Sequence, residues 1–587
     1  MTTVPAQTPN EPVEPDQPKE TRESQSARGF VRFLYSQNPF YLLSVCFVLH
    51  GTGIWYRANA TTHSPWILFG IIAGYIVMMA GTGLVIVRRG RVWDDARSIL
   101  LILFALFLEL AMTSDDVLIS DRGTGRAMLL SAWLVAAGVT EVILLGLRMR
   151  LGALYRVPLH LLLALIVLYP LVIVQGSYPH DGERITWSIF LFSPLAAVVL
   201  LTLIPAIRRG AAYTSTNGTP WIWPLYPWSI FLFLVAIVLL RSYSLCLSFD
   251  PVMEIAWDRA LDLENRFGGL YVVPLMLALS LLCLEWTRIS GSPGLRRAGL
   301  IFPVAAVLMA IPTGGLSDNS LYVGFLDQLT DHVASPVWIT TWLSLLIAVY
   351  AVLRRIRQSE VALSVLLILL AFLSSDSLRP NWTADPATWP LALAAIIQFS
   401  AGCQRRNPIQ AFAGQLCGLF IARNLLSDHF GLMGDVLAAY LLVLGMILTG
   451  RLLQGAFSTF LGVTGTVFLT AACFLAPLTL TPAIQHQIPE ATQTVVAIAM
   501  LLFTATSIGL WFLTRDQLLK WSARLNIGVT VSASLVKAAL LLMRLPGGRG
   551  IMWALGGILW FALAAWISSR KARTKVVFNS PADGTQS

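Results

Sequence analysis

Between Arg88 and Asp116 the chain reads RRGRVWDDARSILLILFALFLELAMTSDD. Arginines come first, then a run from Ser98 to Met112 broken only by Glu109, then an exit at Thr113, Ser114, Asp115 and Asp116. A helix rises about 1.5 Å per residue, so a segment of this length spans roughly 25–30 Å, about the hydrocarbon thickness of a bilayer. Water cannot satisfy backbone groups at that depth, so a segment of this kind must be helical. This one pattern constrains the fold more than any other feature, because the chain repeats it.

Apolar runs of spanning length recur from residue 39 to residue 568, about eighteen of them. Composition supports extending the reading to the whole chain. Of the 587 residues, 56% are hydrophobic and 12% are charged, and mean hydropathy is +0.70. Soluble chains carry about 25% charged residues. The expected fold class is therefore all-α: a polytopic integral membrane bundle with no loop long enough for a separate soluble domain.

Charge placement predicts orientation. Arg88, Arg89 and Arg91, then Arg148, Arg150 and Arg156, then Arg208 and Arg209, then Arg354, Arg355 and Arg357 all fall in alternate loops. Cytoplasmic loops retain Lys and Arg, so both termini are expected inside a bacterial inner membrane. The same clustering accounts for the net charge of +10 without nucleic acid, which is not expected as a partner. Residues 1–28 are polar, predict a disordered cytoplasmic tail and are too polar for a secretion signal. Residues 29–568 form the transmembrane domain, and residues 569–587 a basic cytoplasmic tail. Within the domain, residues 88–105 are echoed by residues 354–371, as a parallel internal repeat would be.

Two outer loops, Ser242 to Gly269 and Gly315 to Pro336, carry amphipathic segments. In the second, Leu326 and Leu329 alternate with Asp327 and Asp331 at helical spacing, which suits a helix lying on the membrane surface.

Charges inside spans cost roughly 2.5–3.5 kcal/mol on insertion scales, so they are the natural site candidates. Glu109, Glu141, His50 and Lys537 lie within apolar runs and are expected to bind a transported group. Arg379, Arg423, Asp428 and His429 stand at outer span ends, with Arg241 and Asp435. An arginine there can hold a phosphate or carboxylate by paired hydrogen bonds. Asp115 and Asp116 are the acids placed to act as a catalytic base. The Ser-Asp exits invite comparison with membrane glycosyltransferases that use lipid-linked donors. Those proteins carry an acidic motif in a large first outer loop, whereas Arg57 to Pro65 contains no acid.

The six cysteines sit in or beside apolar runs without a C-x-x-C pair, and no histidine cluster occurs, so neither metal nor cofactor is expected. The functional expectation is a transporter or flippase-like carrier. The alternatives are a membrane-embedded transferase acting on a lipid-linked group at the outer face, or a non-catalytic scaffold. Membrane lipids, and a small solute or lipid-linked substrate, are the expected partners.

Overall fold

The computed structural model describes chiefly residues 64–175, 182–210, 225–249, 267–311, 320–373, 386–479 and 490–543, apart from residue 92 and with a few short pieces outside these ranges. The tails, Arg379 and the amphipathic segment of the Ser242–Gly269 loop lie outside the described residues. Among those described, the architecture is helical and multi-pass. Twelve helices are long and apolar enough to cross a membrane, and two further apolar helices are shorter.

The chain divides into two compact units, residues 1–362 with 375–380, and residues 363–374 with 381–587. The first unit contains α1 (Pro65–Gly90), α2 (Asp94–Ser120), α3 (Arg122–Gly146), α4 (Ala153–Leu168), α5 (Pro170–Ile173), α6 (Gly182–Leu201), α7 (Ile204–Arg208) and α8 (Trp228–Phe249). A short 3-10 turn, Gly268–Tyr271, then leads into α9 (Val273–Ser290), α10 (Pro293–Ala310), α11 (Ser320–His332) and α12 (Pro336–Leu353). The boundary runs through α13 (Ser359–Phe372). The second unit continues with α14 (Thr388–Arg405), α15 (Pro408–Phe430), α16 (Leu432–Leu452), α17 (Ala456–Thr479), α18 (Glu490–Thr514) and α19 (Gln517–Met543).

Local chemistry sets the helix ends. Proline stands in the first turn of α1, α9, α10, α12 and α15, where its missing N–H costs nothing. The Asn407 side chain caps α15 by accepting from the Ile409 N–H at 3.1 Å. Arginine closes several helices on the C-terminal side. Arg88 and Arg89 fill the last turn of α1, where the macrodipole favours positive charge.

Two expected boundaries move. The run after Arg97 does not leave the helix at Ser114–Asp116. α2 continues to Ser120, and the turn falls at Asp121, whose carboxylate accepts from the Gly123 and Thr124 N–H groups at 2.9 and 3.3 Å. Within the helix the buried Ser114 hydroxyl is satisfied by donating back to the Leu110 carbonyl at 2.8 Å. The tight α2–α3 turn needs Gly125, since a Cβ there would lie 2.2 Å from the Leu118 Cα. Likewise Ser427 and Asp428 do not end α15, which runs on to Phe430 and breaks at Gly431, at φ 53°.

In the first unit α2 and α8 are the most enclosed spans, each 61% buried against 28% for α10. Phe104, Phe107 and Leu110 of α2, with Leu234, Val238 and Leu245 of α8, are fully or nearly fully buried. In the second unit α17, α18 and α19 meet through hydroxyls as well as apolar side chains. Ser522, Asn526 and Thr530 recur every four residues on α19. They bond to Thr470 at 2.7 Å, Ser507 at 3.3 Å and Thr504 at 2.8 Å. Polar side chains of this kind hold membrane helices together where hydrophobicity alone gives no preference. Nearby, Ile447, Leu469, Cys473, Phe503 and Leu519 form an apolar core.

Candidate functional site

The buried charges of the first unit are tied to one another. Asp115 and Arg241 are both completely buried. The Arg241 Nη1 and Nη2 groups donate to the two Asp115 oxygens at 2.5 and 3.0 Å, and Nη1 also donates to the Ser244 hydroxyl at 3.2 Å. Its Nε donates to the Ile166 carbonyl at 2.9 Å. Removing either charge leaves the other unpaired at a cost of about 3–5 kcal/mol, so the pair acts as a structural lock between α2, α4 and α8.

Glu141 on α3 accepts from His160 on α4 at 2.8 Å and faces Arg156 at 3.5 Å, about a third of each side chain remaining exposed. Glu109 is half-buried on α2. Asp116 and His50 are exposed. In the second unit Arg423 meets Asp435 at 3.3 Å, across the α15–α16 turn. Asp428 and His429 are exposed there, and the His429 ring bonds the Leu425 carbonyl at 2.9 Å. Lys537 is exposed on α19. The structure thus brings together Asp115 with Arg241 and Arg423 with Asp435. Among the described residues no cluster of three or more His, Cys, Asp or Glu could hold a metal ion.

A cavity of about 530 Å³ lies elsewhere in the first unit, between α6, α9 and α12. That volume is in the range of pockets that enclose a small molecule. Phe190, Ala197, Leu277, Ala278, Leu343 and Ile347 are among its walls. Among the described lining residues Thr340 is the one with a polar side chain, and its hydroxyl is already bonded to the Pro336 carbonyl at 2.7 Å. Val198, Leu343 and Leu346, which also line it, are 59%, 45% and 63% exposed, so the cavity is a groove opening sideways from the bundle.

The two ends of the groove differ. At one end lie Leu270 and Leu329. The amphipathic helix α11 closes this end, with Phe325, Leu326 and Leu329 buried and Asp327 and Asp331 exposed. Phe325 packs among Trp187, Phe190 and Phe267, with ring centroids 4.9–5.5 Å apart. At the other end the helices lead to arginines. Leu281 on α9 is followed one turn later by Glu285, and Leu346 on α12 by Tyr350.

Glu285 was not singled out from the sequence. It is almost fully buried and accepts from Arg208 Nε and Nη2 at 3.2 and 3.1 Å. Arg288 lies 3.8 Å from its second oxygen. Arg208 also donates to the Tyr350 hydroxyl at 3.4 Å, and the Arg354 guanidinium stands over the Tyr350 ring at 5.2 Å. The signal available in the sequence was the position of Glu285 inside an apolar run with Arg288 one turn away. Comparison with protein-family models, with curated proteins and with solved structures finds no match for this chain.

Proposed function

We propose that the protein is a flippase-like carrier that takes the hydrocarbon part of a lipid into the groove between α6, α9 and α12. The observation that supports this reading is the groove itself: an apolar channel, open sideways, in a bundle whose helices suit a membrane. A polar solute would need free donors and acceptors along its path, and the one hydroxyl among the described wall residues is already bonded. An alkyl chain needs only apolar area. Along α12 the groove runs from Pro336 to Ile347, roughly 16 Å at helical rise.

The proposal places the chain in a bacterial inner membrane, crossing about eighteen times, with both termini and the arginine-bearing ends in the cytoplasm. The transferase alternative would use Asp115 or Asp116 as base. The enclosure of Asp115 against Arg241 weighs against that residue, because a base must reach a proton on the substrate.

Purified full-length protein in vesicles carrying a fluorescent lipid tests the proposal. Transbilayer movement is expected with the native chain. It should fall to the level of protein-free vesicles when Ala278→Trp or Leu343→Trp fills the groove. Leu232→Trp, on the exposed face of α8, should leave it unchanged. Equal lipid movement with and without native protein would reject a carrier, and unaltered movement in both groove variants would reject this groove.

A further inference from the structure

We infer that Arg208, Arg288 and Arg354 form a phosphate site for the head group of the lipid whose chain occupies the groove. The inference rests on the reading of the groove as a lipid channel and adds to it the charge of the substrate. Three helices carry the argument. Along α6, α9 and α12 the groove wall comes first and an arginine follows seven or eight residues later: Leu201 then Arg208 at the end of α7, Leu281 then Arg288 within α9, Leu346 then Arg354 just past the end of α12. The three arginines therefore lie about two helical turns beyond the groove wall, all toward the same end.

The chemistry of that end suits a phosphate. Glu285 and Tyr350 gather the three arginines: Arg208 and Arg288 on the carboxylate, Arg208 on the Tyr350 hydroxyl and Arg354 on its ring. Three cations against one carboxylate leave a net charge of +2 at this point. The carboxylate is only 2% exposed, while the Arg208 and Arg288 side chains are 52% and 40% exposed and Arg354 is exposed. The anion thus holds Arg208 and Arg288 from inside, while all three guanidinium-bearing side chains keep surface open to a ligand. Guanidinium forks match phosphate oxygens by paired hydrogen bonds, better than an ammonium would. Glu285 is a positioning residue here. Its loss frees Arg208 without touching the ligand.

The same end would also attract a free phosphate, and the groove distinguishes the two sources. A lipid needs both parts of the site, whereas inorganic phosphate needs only the arginines. Native mass spectrometry of the full-length protein measures this, titrating phosphatidylglycerol and phosphatidylcholine, with inorganic phosphate as competitor. The native protein should retain phosphatidylglycerol in preference to phosphatidylcholine. The double variant Arg288→Gln/Arg354→Gln, which keeps the Arg208–Glu285 pair, should lose that preference by about tenfold, as expected for two charge-assisted contacts. Arg208→Gln/Glu285→Gln, which removes the pair without leaving a buried charge, should do the same.

Equal preference for phosphatidylglycerol in both arginine variants and native protein would overturn the inference. So would strong competition by inorganic phosphate together with indifference to Ala278→Trp, which would make the site one for free phosphate. Loss of preference in the arginine variants, with phosphatidylglycerol still bound in Ala278→Trp and no competition by phosphate, would uphold the head-group site while rejecting the groove as its chain channel. A second copy of the chain in the groove would appear as a dimer that Ala278→Trp dissociates without changing lipid retention, and that too would overturn it.

Discussion

The Nε of Arg241 donates at 2.9 Å to the carbonyl of Ile166. In an unbroken helix that oxygen would accept from the N–H of residue 170, but residue 170 is proline and has none. The break between α4 and α5 thus leaves a bare carbonyl inside the bundle, and a fully buried arginine takes it while pairing with Asp115. A deeply placed charge and a helix-breaking residue, each costly alone, satisfy one another.

Removal of one partner should therefore be worse than removal of both. Arg241→Met and Asp115→Asn are each expected to destabilise the folded protein by about 3–5 kcal/mol. Arg241→Met/Asp115→Leu should cost less than either single change. Adding Pro170→Ala to Arg241→Met should recover part of the loss, because the new N–H can bond Ile166. Thermal unfolding in one detergent, compared across the four variants, checks the order.

The same device recurs between α9 and α10. Pro303 deprives the Gly299 carbonyl of its helical donor, and the buried hydroxyl of Ser280 supplies one at 2.6 Å. The Ser344 hydroxyl adds a bond to the Pro303 carbonyl at 3.0 Å. Ser280→Ala is expected to cost about 1–3 kcal/mol, the penalty of an unsatisfied buried acceptor. Ser280→Ala/Pro303→Ala should cost less, and unfolding of both variants under the same conditions measures the difference.

These pairings explain which parts of the molecule were legible in the sequence. Hydrophobic length is local, and the long apolar runs read from the sequence appear among the described residues as twelve helices able to cross a membrane and two shorter apolar ones. The partners of buried charges are not local. Asp115 and Arg241 are separated by 126 positions, and Glu285 and Arg208 by 77. Asp115 looked like a turn residue because Ser-Asp sequences normally leave helices, and only a distant arginine makes it a core residue. Glu141 was visible as an acid within a span, but its partner His160 passed unremarked, as a lone histidine on the next helix. The groove left no motif at all, since its walls are the same Leu, Ala and Val that face lipid elsewhere. Its closing helix was readable from the alternation of Leu326 and Leu329 with Asp327 and Asp331.

The turn between α2 and α3 responds to acid through a group outside the spans. The Asp121 carboxylate accepts from the Thr124 hydroxyl at 2.6 Å and from the Thr124 and Gly123 N–H groups, which hold its carboxyl below the usual aspartate range. A depressed carboxyl stabilises the fold above the unfolded pKa of about 3.9, and that contribution is lost as pH falls through the lower folded value. Carbon-detected titration of labelled aspartate should therefore show Asp121 protonating at lower pH than an ordinary aspartate. Thr124→Val, which removes the strongest of these bonds, should raise that midpoint toward the ordinary one. An unchanged midpoint would mean that the hydroxyl does not hold the carboxylate.

Packing in the second unit turns on a contact between two glycines. A Cβ on Gly450 of α16 would lie 2.4 Å from the Gly462 Cα on α17, so these helices approach backbone to backbone. By contrast, a Cβ on Gly418 of α15 would meet nothing within 4 Å. Alanine at the two positions should therefore act in opposite directions. Gly418→Ala gains up to about 1 kcal/mol from helix propensity. Gly450→Ala gains the same propensity but must push the helices apart, for a net loss of about 1–3 kcal/mol. Paired thermal unfolding of the two variants reads the difference. If both proved stabilising, the close approach of α16 and α17 would have no energetic weight, and the packing of this unit would have to rest on the hydroxyl contacts of α17, α18 and α19 instead.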